Sequence, residues 1–192
     1  MELAQKSIVL NYMNIIKTGF EGLLLIEPDV FGDTRGYFYE SYNREKYRTA
    51  GINTEFVQDN ISKSRKGTIR GLHYQSKAKA QDKLCFVIQG RVLDIAVDIR
   101  AGSPTFGKYF SAELSAEKKN QLFIPKGFAH GFSVLEEDTI FLYKVSDFYS
   151  PADERTIIYN DPLLGIDWKV ENGIISEKDL KGIPFSSIER EF

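Results

Sequence analysis

The stretch Lys83-Leu-Cys-Phe-Val-Ile-Gln-Gly-Arg-Val-Leu-Asp-Ile-Ala-Val-Asp98 decides the class of fold. Two runs of strand length, Lys83–Gln89 and Val92–Asp98, flank Gly90-Arg91, and the spacing predicts a tight hairpin connection. In the second run Leu93, Ile95 and Val97 share a face opposite Asp94, Ala96 and Asp98, the two-residue period of a strand. Working outward, similar runs occur at Leu23–Ile26, Tyr37–Tyr42, Thr54–Asn60 and Thr68–Gln75. On the other side they occur at Phe106–Leu114, Gln121–Ile124, Ala129–Leu135 and Thr139–Val145. Pro28 and Phe31-Gly-Asp33 read as turn residues. Only Asn43–Thr49 and Ser176–Lys181 look helical, the second with Asp179 three residues after a capping Ser176. Closely spaced strands without intervening helices predict a β-sandwich or barrel rather than a βαβ sheet. Such a fold offers a mouth or cavity to a ligand.

The chain of 192 residues reads as a single domain over 1–192, without an internal repeat or linker. Residues 1–12 read as an N-terminal extension, or Met13 as the start. Lys and Arg total 25 against 27 Asp and Glu, a net charge of −2. That balance argues against nucleic-acid binding through bulk charge and against a polybasic membrane surface. Apolar residues at 42% exclude a disordered chain. The single cysteine, Cys85, rules out an intramolecular disulfide and suits a reducing compartment, so a cytoplasmic protein is expected. Glu2, Asn11 and Asn14 interrupt the N-terminal apolar stretch, which lacks a signal-peptide pattern. No window approaches the roughly 20 apolar residues of a membrane span.

Two histidines, His73 and His130, exclude a three-histidine metal site within one chain and leave two histidines with a carboxylate open. His73 follows Arg70 by three positions, which on a regular strand point to opposite faces. The two share a site only if the strand is irregular, and Gly71 is where a bulge is expected. Imidazole is the natural general base near neutral pH, and Arg the natural phosphate partner. His130, in Ile124-Pro-Lys-Gly-Phe-Ala-His-Gly-Phe132, suits a ligand contact and a buried structural histidine about equally. Gln58 and Asn60 put two amides on one strand face. Taken singly, Lys83 and Lys144 read as solvated, Tyr143 as core and Asp179 as a surface helix residue.

In sequence order come Phe31-Gly-Asp-Thr-Arg-Gly-Tyr-Phe-Tyr-Glu40, Phe56-Val-Gln-Asp-Asn60, Ile69-Arg-Gly-Leu-His-Tyr-Gln75 and Asp82-Lys-Leu84. Then follow Ala96-Val-Asp-Ile-Arg100, Ser103-Pro-Thr-Phe-Gly107, the His130 segment, Tyr143-Lys144 and Asn160-Asp-Pro162. From about Phe20 to Phe185 this resembles the dTDP-4-dehydrorhamnose 3,5-epimerase family. The resemblance implies an all-β, cupin-like double-stranded β-helix (jelly roll) with short peripheral helices. It implies metal-independent chemistry with no cofactor, and a homodimer in which a strand within residues 13–60 is exchanged. The implied partner is a dTDP-linked 4-keto-6-deoxy sugar.

The same resemblance distributes roles. His73 is the base, Asp179 its orienting carboxylate, Tyr143 the opposed acid and Lys83 the group near the carbonyl oxygen. Arg70 matches a diphosphate ligand and Lys178 a weaker one. Gln58 and Asn60 match nucleotide and sugar contacts, His130 and Glu154 other pocket residues, and Tyr149 the aromatic that stacks on thymine. Arg35 and Glu40 match residues given by the partner's exchanged strand. Cys85-Phe86 departs from the Val-Arg often found there. The rival readings are a sister epimerase acting at C3 or C5 alone, a metal-dependent cupin using His73 and His130, and a catalytically silent binding module. The silent module is expected to lose base or acid, and both are present.

Overall fold

The computed structural model describes residues 7–10 and 12–192. Residues 1–6 and 11, part of the expected extension, lie outside the described residues. The elements in order are β1 (Ser7–Leu10), β2 (Met13–Lys17), β3 (Leu24–Pro28), β4 (Phe31–Asp33), β5 (Gly36–Phe38), α1 (Arg44–Thr49) and β6 (Gln58–Ser64). There follow β7 (Ile69–Gln75), β8 (Lys83–Gln89), β9 (Arg91–Asp98), β10 (Tyr109–Ser115) and β11 (Gln121–Ile124). The last are β12 (Phe128–Val134), β13 (Thr139–Val145), β14 (Glu154–Thr156) and α2 (Glu177–Leu180). They build a seven-stranded sheet, β1-β2-β3-β11-β8-β13-β6, a five-stranded sheet, β10-β9-β12-β7-β14, and the separate β4-β5 ribbon.

The expected hairpin at Gly90-Arg91 is a corner instead. β8 belongs to the seven-stranded sheet and β9 to the five-stranded one, so the turn carries the chain from one wall to the other. Gly90 sits at φ +78°, and a Cβ there would lie 2.3 Å from Thr139 Oγ1. Only glycine allows that close approach in a left-handed conformation.

Both faces of β9 are buried because the molecule has more than two layers. Ala96 and Val92 face inward, packing with Cys85, Val87, Leu122, Phe132 and Phe141 between the sheets. Leu93, Ile95 and Val97 face outward, where Ile157, Leu164, Trp168 and Ile188 of the C-terminal segment cover them. Trp168 is held there by Nε1 donating to Tyr159 O at 2.8 Å. On the far side of the other sheet, Tyr47 and Ile52 cover Met13, Ile15, Ile26 and Leu84. Each fully buried aliphatic side chain contributes roughly 1.5–3 kcal/mol.

Several strand boundaries move. The run Tyr37–Tyr42 is strand only to Phe38, because the chain then turns into α1, whose cap Asn43 accepts from Lys46 N. Phe106 lies in the Ser103 turn, its N–H donating to Ser103 O, so β10 starts at Tyr109. β6 begins at Gln58 and continues to Ser64, beyond the expected Thr54–Asn60. Its polarity is inverted: Gln58, Asn60, Ser62 and Ser64 point inward while Ile61 is 69% exposed. The interior it lines is a polar cavity.

Candidate active site

A cavity of about 720 Å³ opens between the sheets. β7, β12 and β14 form one wall, β6, β8 and β13 the other, and the Ile174–Asp179 segment its rim.

The key local feature is on β7. Across the β7–β12 ladder His73 pairs with His130 and Arg70 with Phe132, so three steps on β7 match two on β12. The extra residue lies at Gly71-Leu72, and it brings Arg70 and His73 to the same cavity, as the irregular strand required. Gly71 has φ +133°, and a Cβ there would meet Gly131 Cα at 2.5 Å. Arg70 Nε donates to Ser64 Oγ at 3.1 Å, which steers the guanidinium along the wall.

His73 Nε2 hydrogen-bonds Asp179 Oδ1 at 2.7 Å, leaving Nδ1 uncommitted. Asp179 is only 3% exposed, contrary to the surface reading. Ser176 Oγ caps α2 by accepting from Asp179 N, and Gly71 N–H donates to Asp179 Oδ2 at 3.3 Å. Thus the helix is docked on the bulge itself. Burial works to raise the pKa of Asp179, but the His73 hydrogen bond and charge, with the Gly71 N–H, outweigh it and hold the carboxyl below its ordinary value.

Lys83 is likewise not solvated. It is 8% exposed, and its Nζ donates to His73 O at 3.5 Å. Burial pulls its pKa down, opposed by Cys85, Asp94 and Glu154. Lys144, also read as solvated, is mostly covered and pairs with Asp59. Tyr143, half-buried on β13, lines the cavity from the opposite sheet to His73, and burial raises its pKa. A phenol in such a site stays protonated at neutral pH and is suited to donating.

Gln58, Asn60, His130, Tyr149, Glu154 and Lys178 line the same cavity. Gln58 Nε2 donates to Asn60 Oδ1 at 2.8 Å. Glu154 accepts from Tyr149 Oη at 2.9 Å and from Lys178 Nζ. Eleven of the thirteen expected site residues therefore converge. The other two, Arg35 and Glu40, do not line this cavity; Arg35 pairs with Asp33 and Glu40 with Lys46. The resemblance assigns both to a partner's cavity.

Asp94 was not singled out. It is fully buried, and its Oδ1 hydrogen-bonds His130 Nε2 at 2.5 Å. The signal was an acid in an apolar strand, between Leu93 and Ile95, which a buried partner alone explains.

Two antiparallel sheets around a cavity, with a His–Asp pair and a protonated Tyr on different walls, define an acid–base enzyme of the jelly-roll class. The family model described as dTDP-4-dehydrorhamnose 3,5-epimerase matches residues 17–187, and the chain belongs to that family. The *Shigella flexneri* dTDP-4-dehydrorhamnose 3,5-epimerase is 52% identical over 174 residues, 90% of this chain and 96% of that one. The *Pseudomonas aeruginosa* enzyme of the same name is 49% identical, covering 92% and 98%. A *Legionella pneumophila* 3,5-epimerase structure in complex with dTDP-4-keto-L-rhamnose superposes with TM-score 0.90 at 49% identity, covering 94% and 96%. The fold is thus the cupin-like jelly roll. No helix among the described residues is long and apolar enough to cross a membrane.

Proposed function

We infer that the protein epimerises C3 and C5 of dTDP-4-dehydro-6-deoxy-D-glucose, giving dTDP-4-dehydro-L-rhamnose, by exchanging protons from two sides of one cavity. The C4 ketone acidifies both C–H bonds. His73 Nδ1 takes the proton while Asp179 holds Nε2 and stabilises the imidazolium that forms. The enolate oxygen develops negative charge beside Lys83, whose ammonium offsets it. Tyr143 returns a proton to the opposite face, which inverts the centre. The observation that carries this reading is the opening of the His73–Asp179 pair and Tyr143 onto one cavity from different sheets.

Arg70 binds the diphosphate, with Lys178, which lines the same cavity and pairs with Glu154, as a second cation. Gln58 and Asn60 contact the nucleotide and sugar, Tyr149 stacks on thymine, and His130 lines the sugar end. The active species is a homodimer, with Arg35 and Glu40 completing the partner's cavity. Support comes from the β4–β5 ribbon, where Phe31, Tyr37 and Phe38 are 63%, 61% and 65% exposed and need a cover. A buried free Cys85 supports a reducing, cytoplasmic setting. A 3'-monoepimerase from *Streptomyces bikiniensis* in complex with dTDP-quinovose superposes with TM-score 0.82 at 31% identity, so inversion at one centre is the alternative to exclude.

The test is incubation with the 4-keto sugar nucleotide in D2O, followed by NMR at C3 and C5. His73→Asn abolishes exchange at both. Tyr143→Phe keeps deuterium entry at C5 through His73, while the inverted product forms ~100-fold more slowly. If Tyr143→Phe stops exchange as completely as His73→Asn, the two-face assignment is wrong.

A further inference from the structure

The segment that carries Tyr149 crosses between the two sheets. β13 ends at Val145, paired with Gln58, and β14 begins at Glu154, paired with Gln75. Between them residues 146–153 belong to no ladder, so their backbone donors and acceptors need other partners. Glutamine side chains supply three of these. Gln81 Nε2 donates to Asp147 O at 2.7 Å. Tyr149 N–H donates to Gln58 Oε1 at 3.3 Å, and Ser150 N–H donates to Gln75 Oε1 at 2.9 Å. The ties bracket Tyr149, and the two glutamines at the ladder ends come from opposite sheets. The far end of the ring is held as well, where Oη donates to Glu154 Oε2 at 2.9 Å.

We propose that Gln75 and Gln81 are positioning residues for the nucleotide end of the cavity: they fix the backbone on either side of Tyr149, so that its ring is set before the base arrives. This rests on the stacking role given to Tyr149 above. Both glutamines line the cavity, and the proton chemistry uses neither. Gln75 is 6% exposed, and an amide buried so deeply must be bonded. Phe148 and Tyr149, by contrast, are both exposed, so apolar packing does not hold this segment. Hydrogen bonds do. A carboxamide suits the task because it is neutral and offers an acceptor and a donor, tying backbone groups without adding charge beside an anionic ligand. The two positions use opposite ends of it: Gln75 spends its acceptor and Gln81 its donor. A loop already held in its bound shape spares an ordering cost on binding, which shows as affinity rather than as rate.

Calorimetry with dTDP and turnover of the 4-keto sugar nucleotide test this in the full-length protein. Gln75→Ala and Gln81→Ala should each weaken dTDP binding and raise KM by about 5- to 10-fold, with kcat unchanged. Circular dichroism melts verify folding, and the half-buried Gln81 is the safer site to change. Gln75→Glu keeps an acceptor for Ser150 N–H and should bind dTDP nearly as the unaltered protein does. Gln81→Glu loses the donor and should bind as weakly as Gln81→Ala. In a Tyr149→Ala background, itself weakened, either alanine substitution should add nothing further, the mark of groups acting through one ring. Unchanged dTDP affinity in Gln75→Ala and Gln81→Ala, or losses that persist undiminished beside Tyr149→Ala, overturn the positioning role and leave the stacking role standing. Unchanged affinity in Tyr149→Ala alone overturns both.

Discussion

Two His–Asp pairs stand on neighbouring strands of one wall, and burial makes them different devices. His73 and His130 are direct partners across the β7–β12 ladder. The His73 side chain is 30% exposed and its acid 5%, so one ring nitrogen meets the cavity while the carboxylate is sheltered. For His130 and Asp94 the values are 6% and 0%. There burial presses the imidazole toward its neutral form, against the pull of Asp94. The acids arrive differently as well. Asp94 is supplied by β9 of the same sheet, next to β12, whereas Asp179 comes from a helix 106 residues along the chain. An open pair can trade protons with a ligand; a sealed pair mainly holds structure.

That contrast can be broken in several ways. The largest effect is expected from Asp179→Asn, which leaves His73 without its anionic partner. Turnover should fall by about 10²–10⁴-fold with little change in the denaturant midpoint. A loss of stability as large as the loss of rate would make the open pair structural too. Asp94→Ala should do the converse, stranding the His130 N–H in the interior at a cost of ~3 kcal/mol in urea unfolding. A cost under about 1 kcal/mol would show that water or rearrangement satisfies His130.

Arg70→Ala sharpens the description of the open side. It should weaken dTDP binding by ~2 kcal/mol and reduce its salt dependence in calorimetry, while leaving stability nearly unchanged. Unaltered dTDP affinity would remove Arg70 from the diphosphate site. The smallest effect concerns acid. Asp179 has its folded pKa below the ordinary 3.8, so its contribution is complete above that value and is lost as pH falls through the lower folded pKa. Asp179→Asn should therefore lower stability modestly at pH 7, where the contribution is complete, and flatten the acid limb below about pH 4, so that the two proteins converge in acid. An identical acid limb in both proteins would mean that the pair forms in the unfolded state or contributes nothing.

The strands were largely legible because a two-residue period is a local property. Lys83–Gln89, Gln121–Ile124 and Thr139–Val145 stand where the pattern put them. Gly71 was legible as an irregularity because only a bulge reconciles Arg70 and His73. β6 was legible as a strand but not in its orientation, since a polar interior inverts the usual rule and leaves Ile61 outside.

By itself the sequence determined the all-β class, the family through motifs in their order, and the residue types able to move protons at His73 and Tyr143. Tertiary structure alone decided that Gly90 turns between sheets, that the helix carrying Asp179 docks on the Gly71 bulge, and that Asp94 is interior. The reason is physical. Alternation says that a strand has two faces, but which face is covered depends on layers supplied by distant segments: Trp168 and Ile188 over one sheet, Tyr47 and Ile52 over the other. Burial then sets which of two like His–Asp pairs meets a ligand, and burial is a property of the whole packed molecule.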